Sequence, residues 1–233
     1  MIKKILLKLL RYFRLGFIFQ RKDSSFKNHE STNYSKDIVT SDVNTIKRKH
    51  NYILDNFKKK YSKLLTSHLN ENKKNVLIDI GAGQLLHTNY FSKFFKHIFS
   101  VEPSLSATQL GQKIYNIKAS KVTIINSFIE DLLKEDFFIE ANYYYTGHVL
   151  SHLTEESFEV ICNCLNNESK INSVIIFDEL WTNDNEIRDN MFYVRSKKKW
   201  QNYLSKWELT FINDNVKVGN QSFYKGLVGK KIY

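Results

Sequence analysis

Val76-Leu-Ile-Asp-Ile-Gly-Ala-Gly-Gln84 is a short apolar run that ends in two closely spaced glycines. Val76–Ile80 has the length and composition of a buried parallel strand. Gly81, Ala82 and Gly83 then make a strand-to-helix turn in which two positions lack a Cβ, so the backbone can come close to a ligand. A dinucleotide site would continue as G-x-G-x-x-G. Here Gly83 is followed by Gln84, Leu85 and Leu86, the third glycine is missing, and an acid, Asp79, stands before the first one.

Outward from this turn the chain alternates. Ile98–Val101, Val122–Ile125, Tyr143–Tyr145 and Val174–Phe177 are further apolar runs, separated by stretches long enough for crossover helices. Leu209–Ile212 and Lys225–Tyr233 read as a terminal strand pair. Before Val76, apolar residues from Thr45 to about Leu69 recur mostly at spacings of three and four, which predicts a helix with one buried stripe; His50 occupies that stripe between Ile46 and Ile53. The pattern predicts an α/β fold: a Rossmann-like doubly wound sheet of about seven strands, mostly parallel with an antiparallel terminal strand, and with ligands at the carboxyl ends of the strands.

The bulk composition narrows the partners. With 233 residues, 42% of them hydrophobic, the chain has room for one α/β domain and an extension. Cys162 and Cys164 lie two apart in a helical pattern, so their side chains diverge by roughly 200° and cannot bridge. A reducing, cytoplasmic compartment fits, and too few Cys and His are suitably paired for structural zinc. The net charge of +11 is unevenly spread. Residues 1–60 hold 15 Lys/Arg against 5 Asp/Glu, leaving 20 against 19 for residues 61–233. An anionic partner would therefore be met mainly by the N-terminal extension.

Residues 1–20 form a basic amphipathic pattern. Lys4, Lys8, Arg11 and Arg14 fall on one stripe of a helix, while Ile2, Ile5, Leu6, Leu9, Leu10, Phe13 and Phe17 cover much of the remainder. Five cations within this stretch argue against a membrane span, which needs about 20 mostly apolar residues. Three readings stay open: a helix lying on an anionic membrane surface, a helix packed on the folded domain or a partner, and a targeting peptide. Residues 21–43 are polar and Ser/Asn-rich, the composition of a linker or arm. The expected domain then runs over 44–233, with the protein cytoplasmic and peripheral on the inner membrane face.

The motif Asp79-Ile-Gly81-Ala-Gly83 resembles the D-x-G-x-G motif of class I S-adenosylmethionine-dependent methyltransferases, and motifs in the same order as that family's extend over about residues 45–233. The resemblance implies S-adenosyl-L-methionine as cofactor, with Asp79, Gly81, Ala82 and Gly83 at its site. His97-Ile-Phe-Ser-Val-Glu102 ends in an acid 19 residues past Gly83, where the family places the carboxylate that accepts both ribose hydroxyls. Ser127 and Phe128 match the positions that flank adenine. Tyr145-Thr-Gly-His-Val-Leu-Ser-His-Leu153 is similar to the fourth-strand motif and adds Thr146 to the cofactor contacts, Val174–Glu179 looks like the fifth strand, and Val194–Trp200 resembles the segment before the last helix. Where the family has its third glycine this chain has Leu85, expected to push the following helix outward or to narrow the methionine pocket.

The acceptor is approached by exclusion. Pro103 is the only proline, so neither the Asn/Asp-Pro-Pro-aromatic motif of amino-methylating nucleic-acid enzymes nor a Pro-Cys nucleophile can exist here. Nucleic acid becomes the less favoured partner and an oxygen acceptor gains ground, on a small molecule or on a sugar of a cell-envelope polysaccharide or its lipid-linked precursor. His148, just after the fourth strand, is the expected general base. His152 matches the family's loop histidine; the resemblance implies a local bond that holds the loop, with a place on the substrate side as the alternative. Asp178 and Glu179 are expected as acceptors for substrate hydroxyls, and Arg195 as partner of a substrate anion. Trp181, Trp200 and Trp207 are read either as sugar-stacking platforms or as core. A helix carrying His148 and His152 at i, i+4 would also suit a metal, although no third ligand is pinned by spacing and none is assigned. The rival functions are an RNA methyltransferase gripping phosphates with the basic extension and a non-catalytic scaffold of the same fold. Oligomeric state is not legible.

Overall fold

The computed structural model describes residues 43–69, 75–183, 186–189, 192–218 and 221–233. The amphipathic helix read over residues 1–20 and the polar segment 21–43 lie outside these residues, apart from Val43. Val43 opens helix α1 (Val43–Leu69), the expected helix with two residues added at its start. Ile46, Phe57 and Tyr61 form its buried stripe. His50 also turns inward, and its Nδ1 lies 2.5 Å from the Tyr115 hydroxyl, which gives the polar residue in the stripe a partner.

From there strands and helices alternate: β1 (Val76–Ile80), α2 (Leu86–Phe91), β2 (His97–Val101), α3 (Leu105–Ile114), β3 (Val122–Ile125), α4 (Asp136–Glu140), β4 (Tyr143–Gly147), α5 (Glu155–Glu168) and β5 (Val174–Thr182). Single 3-10 turns at Ile129–Leu132 and Leu150–His152 precede α4 and α5. β6 (Ile187–Asp189), β7 (Phe192–Ser196), α6 (Lys197–Tyr203), β8 (Trp207–Val218) and β9 (Gln221–Lys231) complete the order. Polar side chains start several helices: the Ser104, Thr154 and Ser196 hydroxyls accept from the N–H groups of Ala107, Ser157 and Lys199.

Among the described residues nine strands form one sheet. β3, β2, β1, β4 and β5 are parallel neighbours in that order, β9 joins β5 antiparallel, and β8 joins β9 antiparallel. The expected parallel sheet with an antiparallel terminus is therefore present, with one addition. β5 has nine buried residues where the apolar run foretold four, and its extra length carries the β6–β7 hairpin, since Trp181 and Thr182 pair with Arg195 and Ser196 of β7. Sequence inspection missed the hairpin because Ile187–Asp189 is too short to show a period.

One face of the sheet packs Leu77, Ile98, Tyr143, Tyr145 and Ile176 against Phe57 and Tyr61 of α1 and Phe91 of α2. The other packs Ile78, Tyr144, Ile175, Phe177 and Trp181 against Phe158, Ile161 and Leu165 of α5 and Trp200 of α6. All three tryptophans are at most 5% exposed, so they belong to the core and the sugar-stacking reading is withdrawn. No helix among the described residues is long and apolar enough to cross a membrane.

Candidate functional site

The site grows from the turn after β1. Gly81, Gly83 and Leu85 all have positive φ, at 69°, 52° and 59°. Gly81 N–H and Ala82 N–H both donate to Val101 O, at 2.8 and 3.1 Å, which docks the turn on the end of β2. The two glycines are needed for different reasons. A Cβ on Gly81 would lie 2.2 Å from Val149 Cγ2, so protein packing alone forbids one. A Cβ on Gly83 would meet nothing within 4 Å, which leaves this stretch of backbone open to a ligand.

Leu85 occupies the glycine-like conformation, and its buried side chain turns toward α3, where Gly111 makes room: a Cβ there would be 2.8 Å from Leu85 Cγ. The leucine is thus absorbed between α2 and α3. The match of Leu85 with Gly111 could not be read from the motif, because the two positions meet only across a helix contact.

Glu102, at the tip of β2, stands next to the open turn. Its Oε2 accepts from Gly83 N–H and its Oε1 from Ser104 N–H, both at 2.9 Å. Burial raises the pKa of this carboxyl, while the two N–H donors pull it down. Asp79 is 1% exposed and accepts from the Thr88 hydroxyl at 2.5 Å, which fastens α2 to β1. Burial pushes Asp79 up to about 7, with the nearby Glu102 adding and Thr88 opposing. At the tip of β3, Asn126 Nδ2 donates to Glu102 O and to Thr108 Oγ1, at 3.0 and 3.1 Å, and the half-buried Ser127 and Phe128 follow. Asn126, the stitch that aligns this corner, was not singled out in the sequence.

The second half of the site is the loop after β4, and here several expectations need correction. Consecutive strand residues face opposite sides, so Asp178 and Glu179 cannot share a task. Glu179 Oε1 accepts from Thr146 Oγ1 (2.9 Å), Val149 N–H (2.8 Å) and Leu150 N–H (3.0 Å), and Oε2 from Ser151 N–H (3.3 Å). At 1% exposure it is an internal anchor for the loop and no substrate acceptor. Thr146 gives its hydroxyl proton to that anchor, which replaces its reading as a cofactor contact. Arg195 is wholly buried between the rings of Phe158 and Tyr193, 3.6 and 4.4 Å from their centroids. Its Nη1 donates to Leu150 O at 2.7 Å and its Nη2 pairs with Glu155, so it clamps the same loop from a position with no exposed surface.

The anchored loop aims His148. Its φ is 60°, and the next turn, Leu150–His152, is 3-10, so His148 and His152 do not share an α-helical face and the premise of the metal reading fails. His152 is buried in that turn, and its backbone N–H donates to Val149 O at 2.9 Å. Among the described residues no three His, Cys, Asp or Glu side chains gather as a metal set. Burial holds the His148 imidazole well below its usual range, the Lys225 charge adds to this, and Asp178 opposes it. The ring is neutral at pH 7 and able to accept a proton.

On the same side of the sheet lies a cluster that sequence inspection did not assemble. Asp178 Oδ1 accepts from Tyr61 OH at 2.9 Å and pairs with Lys60 Nζ at 3.3 Å, while Oδ2 pairs with Lys225 Nζ at 2.8 Å. Lys60 also reaches Asp214, at 3.3 Å. Burial disfavours the Asp178 charge, but Lys225 and Lys60 outweigh it and hold the carboxyl well below the usual range. Asp178 is accordingly saturated by protein donors and is no ready acceptor for substrate hydroxyls. Nearby, the His87 and Tyr145 rings lie 4.9 Å apart, with His87 Nε2 and Tyr145 OH both buried and without a hydrogen-bond partner. Burial lowers His87 to about 4. The usable sequence signal was alternation: Ile176 of β5 pairs with Tyr145 of β4 and Asp178 stands two residues further on, so Tyr145 and Asp178 point to one face.

Comparison with known proteins places this arrangement. No protein-family model matches the sequence, and no curated protein matches it. Solved structures do match in fold. A Listeria monocytogenes S-adenosylmethionine-dependent methyltransferase shares 15% identity over 75% of this chain and 98% of its own, with a TM-score of 0.58. The 1,6-didemethyltoxoflavin-N1-methyltransferase of Burkholderia thailandensis, crystallised with 1,6-didemethyltoxoflavin and S-adenosylhomocysteine, shares 12% over 91% of this chain and 94% of its own, with a TM-score of 0.53. A Methanosarcina mazei S-adenosylmethionine-dependent methyltransferase shares 11% over 69% and 94%, also with a TM-score of 0.53. The chain has the Rossmann-like fold of class I S-adenosylmethionine-dependent methyltransferases.

Proposed function

We propose that this chain is an S-adenosylmethionine-dependent methyltransferase acting on an oxygen, a sugar hydroxyl of a cell-envelope polysaccharide or of its lipid-linked precursor. The observation that carries the reading is the open backbone at Gly83 directly beside the buried carboxylate of Glu102. A glycine with positive φ and empty space above it is needed by no neighbouring side chain, and a carboxylate can accept two hydroxyl protons. Gly81, Ala82 and Gly83 would hold the amino-acid end of the cofactor, Glu102 its ribose, and Ser127 and Phe128 its adenine; Asp79 sets the turn from behind. When bound, the cofactor supplies an electrophilic methyl group on a cationic sulfur.

His148 is assigned the remaining chemistry. A hydroxyl must lose its proton as its oxygen attacks, and the neutral imidazole of His148 can take it. Burial and the Lys225 charge disfavour the imidazolium so formed, and the charge of Asp178 offsets part of that cost. Glu179 and Arg195 keep the loop that carries His148 in one geometry, so the base is already in place when the acceptor arrives. The basic amphipathic stretch at residues 1–20 would hold the enzyme on the cytoplasmic face of an anionic membrane, near a lipid-linked substrate.

Calorimetry with S-adenosylhomocysteine should show micromolar binding that Glu102→Ala abolishes; no binding to the folded wild-type chain would refute the cofactor assignment. Incubation with methyl-labelled cofactor and fractionated cell extract should place label in glycan or glycolipid. Label in RNA or protein would refute the acceptor while leaving the cofactor intact.

A further inference from the structure

Among the described residues charge is strongly separated in space. Residues 122–183 contain 2 Lys/Arg against 11 Asp/Glu. Of these acids only Asp178 and Glu179 are buried; the others lie on α4, α5 and the segments flanking them, over one face of the sheet, where Lys197, Lys198 and Lys199 of α6 offset part of their charge and Lys199 pairs with Glu155. The opposite face, covered by α1, α2 and α3, has the reverse sign. Lys47, Arg48, Lys49 and Lys59 of α1 are exposed, and the ends of α2 and α3 with the turns after them present five further exposed lysines. Among the described residues of 43–121 the only exposed acid is Asp55, which is paired with Lys58.

These cations form one surface. Three contacts join the elements that carry them: His50 of α1 meets Tyr115 at the end of α3, Lys58 of α1 lies 5.8 Å over the ring of Tyr90 of α2, and Lys121 donates to Ser92 O at the end of α2. We infer that the face built by α1, α2 and α3 docks on an anionic lipid surface, with the acidic α4–α5 face turned to solvent. A charge dipole of this kind orients a molecule before contact as well as holding it afterwards.

The composition of the face favours lipid over nucleic acid. Eight of its nine exposed cations are lysines, compact point charges suited to a fluid array of phosphates, whereas nucleic-acid recognition draws on the planar fork of arginine. Base stacking needs exposed aromatic rings, and Tyr52, 58% exposed, is the only one among the described residues of 43–121. The inference is independent of the methyl-transfer reading, because docking is measured without turnover.

The test is co-sedimentation of the full chain with vesicles of phosphatidylcholine and phosphatidylglycerol, and with phosphatidylcholine alone, across a salt series. Two charge-reversal variants are compared, Lys47→Glu/Arg48→Glu/Lys49→Glu and Lys113→Glu/Lys118→Glu/Lys121→Glu, each shown to melt with the wild type. The wild type should bind only the anionic vesicles and lose them as salt rises, and each variant should bind at least about tenfold more weakly. Unchanged binding by both folded variants overturns the inference, as does tighter binding to single-stranded RNA that the same reversals weaken. Low-salt self-association of basic face on acidic face, seen by sedimentation in the absence of lipid and abolished by the reversals, also overturns it.

Discussion

Replacing Glu179 separates an anchor from a substrate contact. One carboxylate oxygen takes Thr146 Oγ1 and the N–H groups of Val149 and Leu150, and the other takes Ser151 N–H. In Glu179→Gln the amide oxygen can keep the first three donors, but the amide nitrogen then faces the Ser151 N–H, donor against donor. Leaving one buried donor unpaired costs roughly 1–3 kcal/mol, and loss of the charge weakens the bonds that remain. The expected total is roughly 2–4 kcal/mol, a large fraction of a stability of order 5–15 kcal/mol. Glu179→Ala leaves all four donors unpaired in a region where Thr146, Leu150 and Ser151 are at most 2% exposed. That variant should be largely unfolded at 37 °C, a temperature at which even modest losses of this kind are felt (about 1 kcal/mol per missing partner at the least). Urea unfolding measures the stability, and binding of S-adenosylhomocysteine with kcat and KM for the acceptor measures the function. Glu179→Gln should lower the unfolding midpoint and kcat, since the His148 loop loosens, with little change in cofactor affinity or acceptor KM. A Glu179→Gln enzyme that unfolds with the wild type but shows a many-fold higher acceptor KM would refute the anchoring role.

The two glycines should part company: each alanine variant costs roughly 1–2 kcal/mol for its positive φ, Gly81→Ala must in addition displace Val149 and should be the less stable of the two, and Gly83→Ala should fold yet bind S-adenosylhomocysteine weakly. Circular dichroism and calorimetry on the pair check this, and equal behaviour would count against the open turn as a ligand seat. Arg195→Lys should destabilise almost as much as Arg195→Ala, because lysine cannot stack between Phe158 and Tyr193 while donating to Leu150 O; full stability of the lysine variant in a thermal melt would contradict the clamp. Asp79 gives a pH signature. Its folded-state pKa of about 7 stands above the ordinary 3.8, so the native state keeps a proton that the unfolded chain releases between those values. The stability it contributes is full below the unfolded value and is lost as pH rises to about 7. Asp79→Asn should flatten that fall, and an Asn variant whose melting temperature tracks the wild type across this range would show that Asp79 is ionised when folded.

The apolar run, the paired glycines and the acid 19 residues beyond them were enough to place β1, its turn and Glu102, because these depend on local rules: strand composition, the conformational freedom of glycine, and an acid at a strand end. The mostly parallel sheet and the long α1 were legible for the same reason, since apolar runs and helical spacing are written in consecutive residues, whereas the order of the strands came only with the structure. What the sequence could not supply was the use of each polar group. Asp178, Glu179, Thr146 and Arg195 looked like residues awaiting a substrate, and tertiary contacts from residues 30 to 120 positions away took up their hydrogen-bonding capacity. Leu85 looked like a defect until Gly111 was brought against it. A polar side chain carries the same chemistry in any surroundings, and only the fold determines whether its partner is a ligand or the protein itself, because burial compels every such group to find one partner or the other.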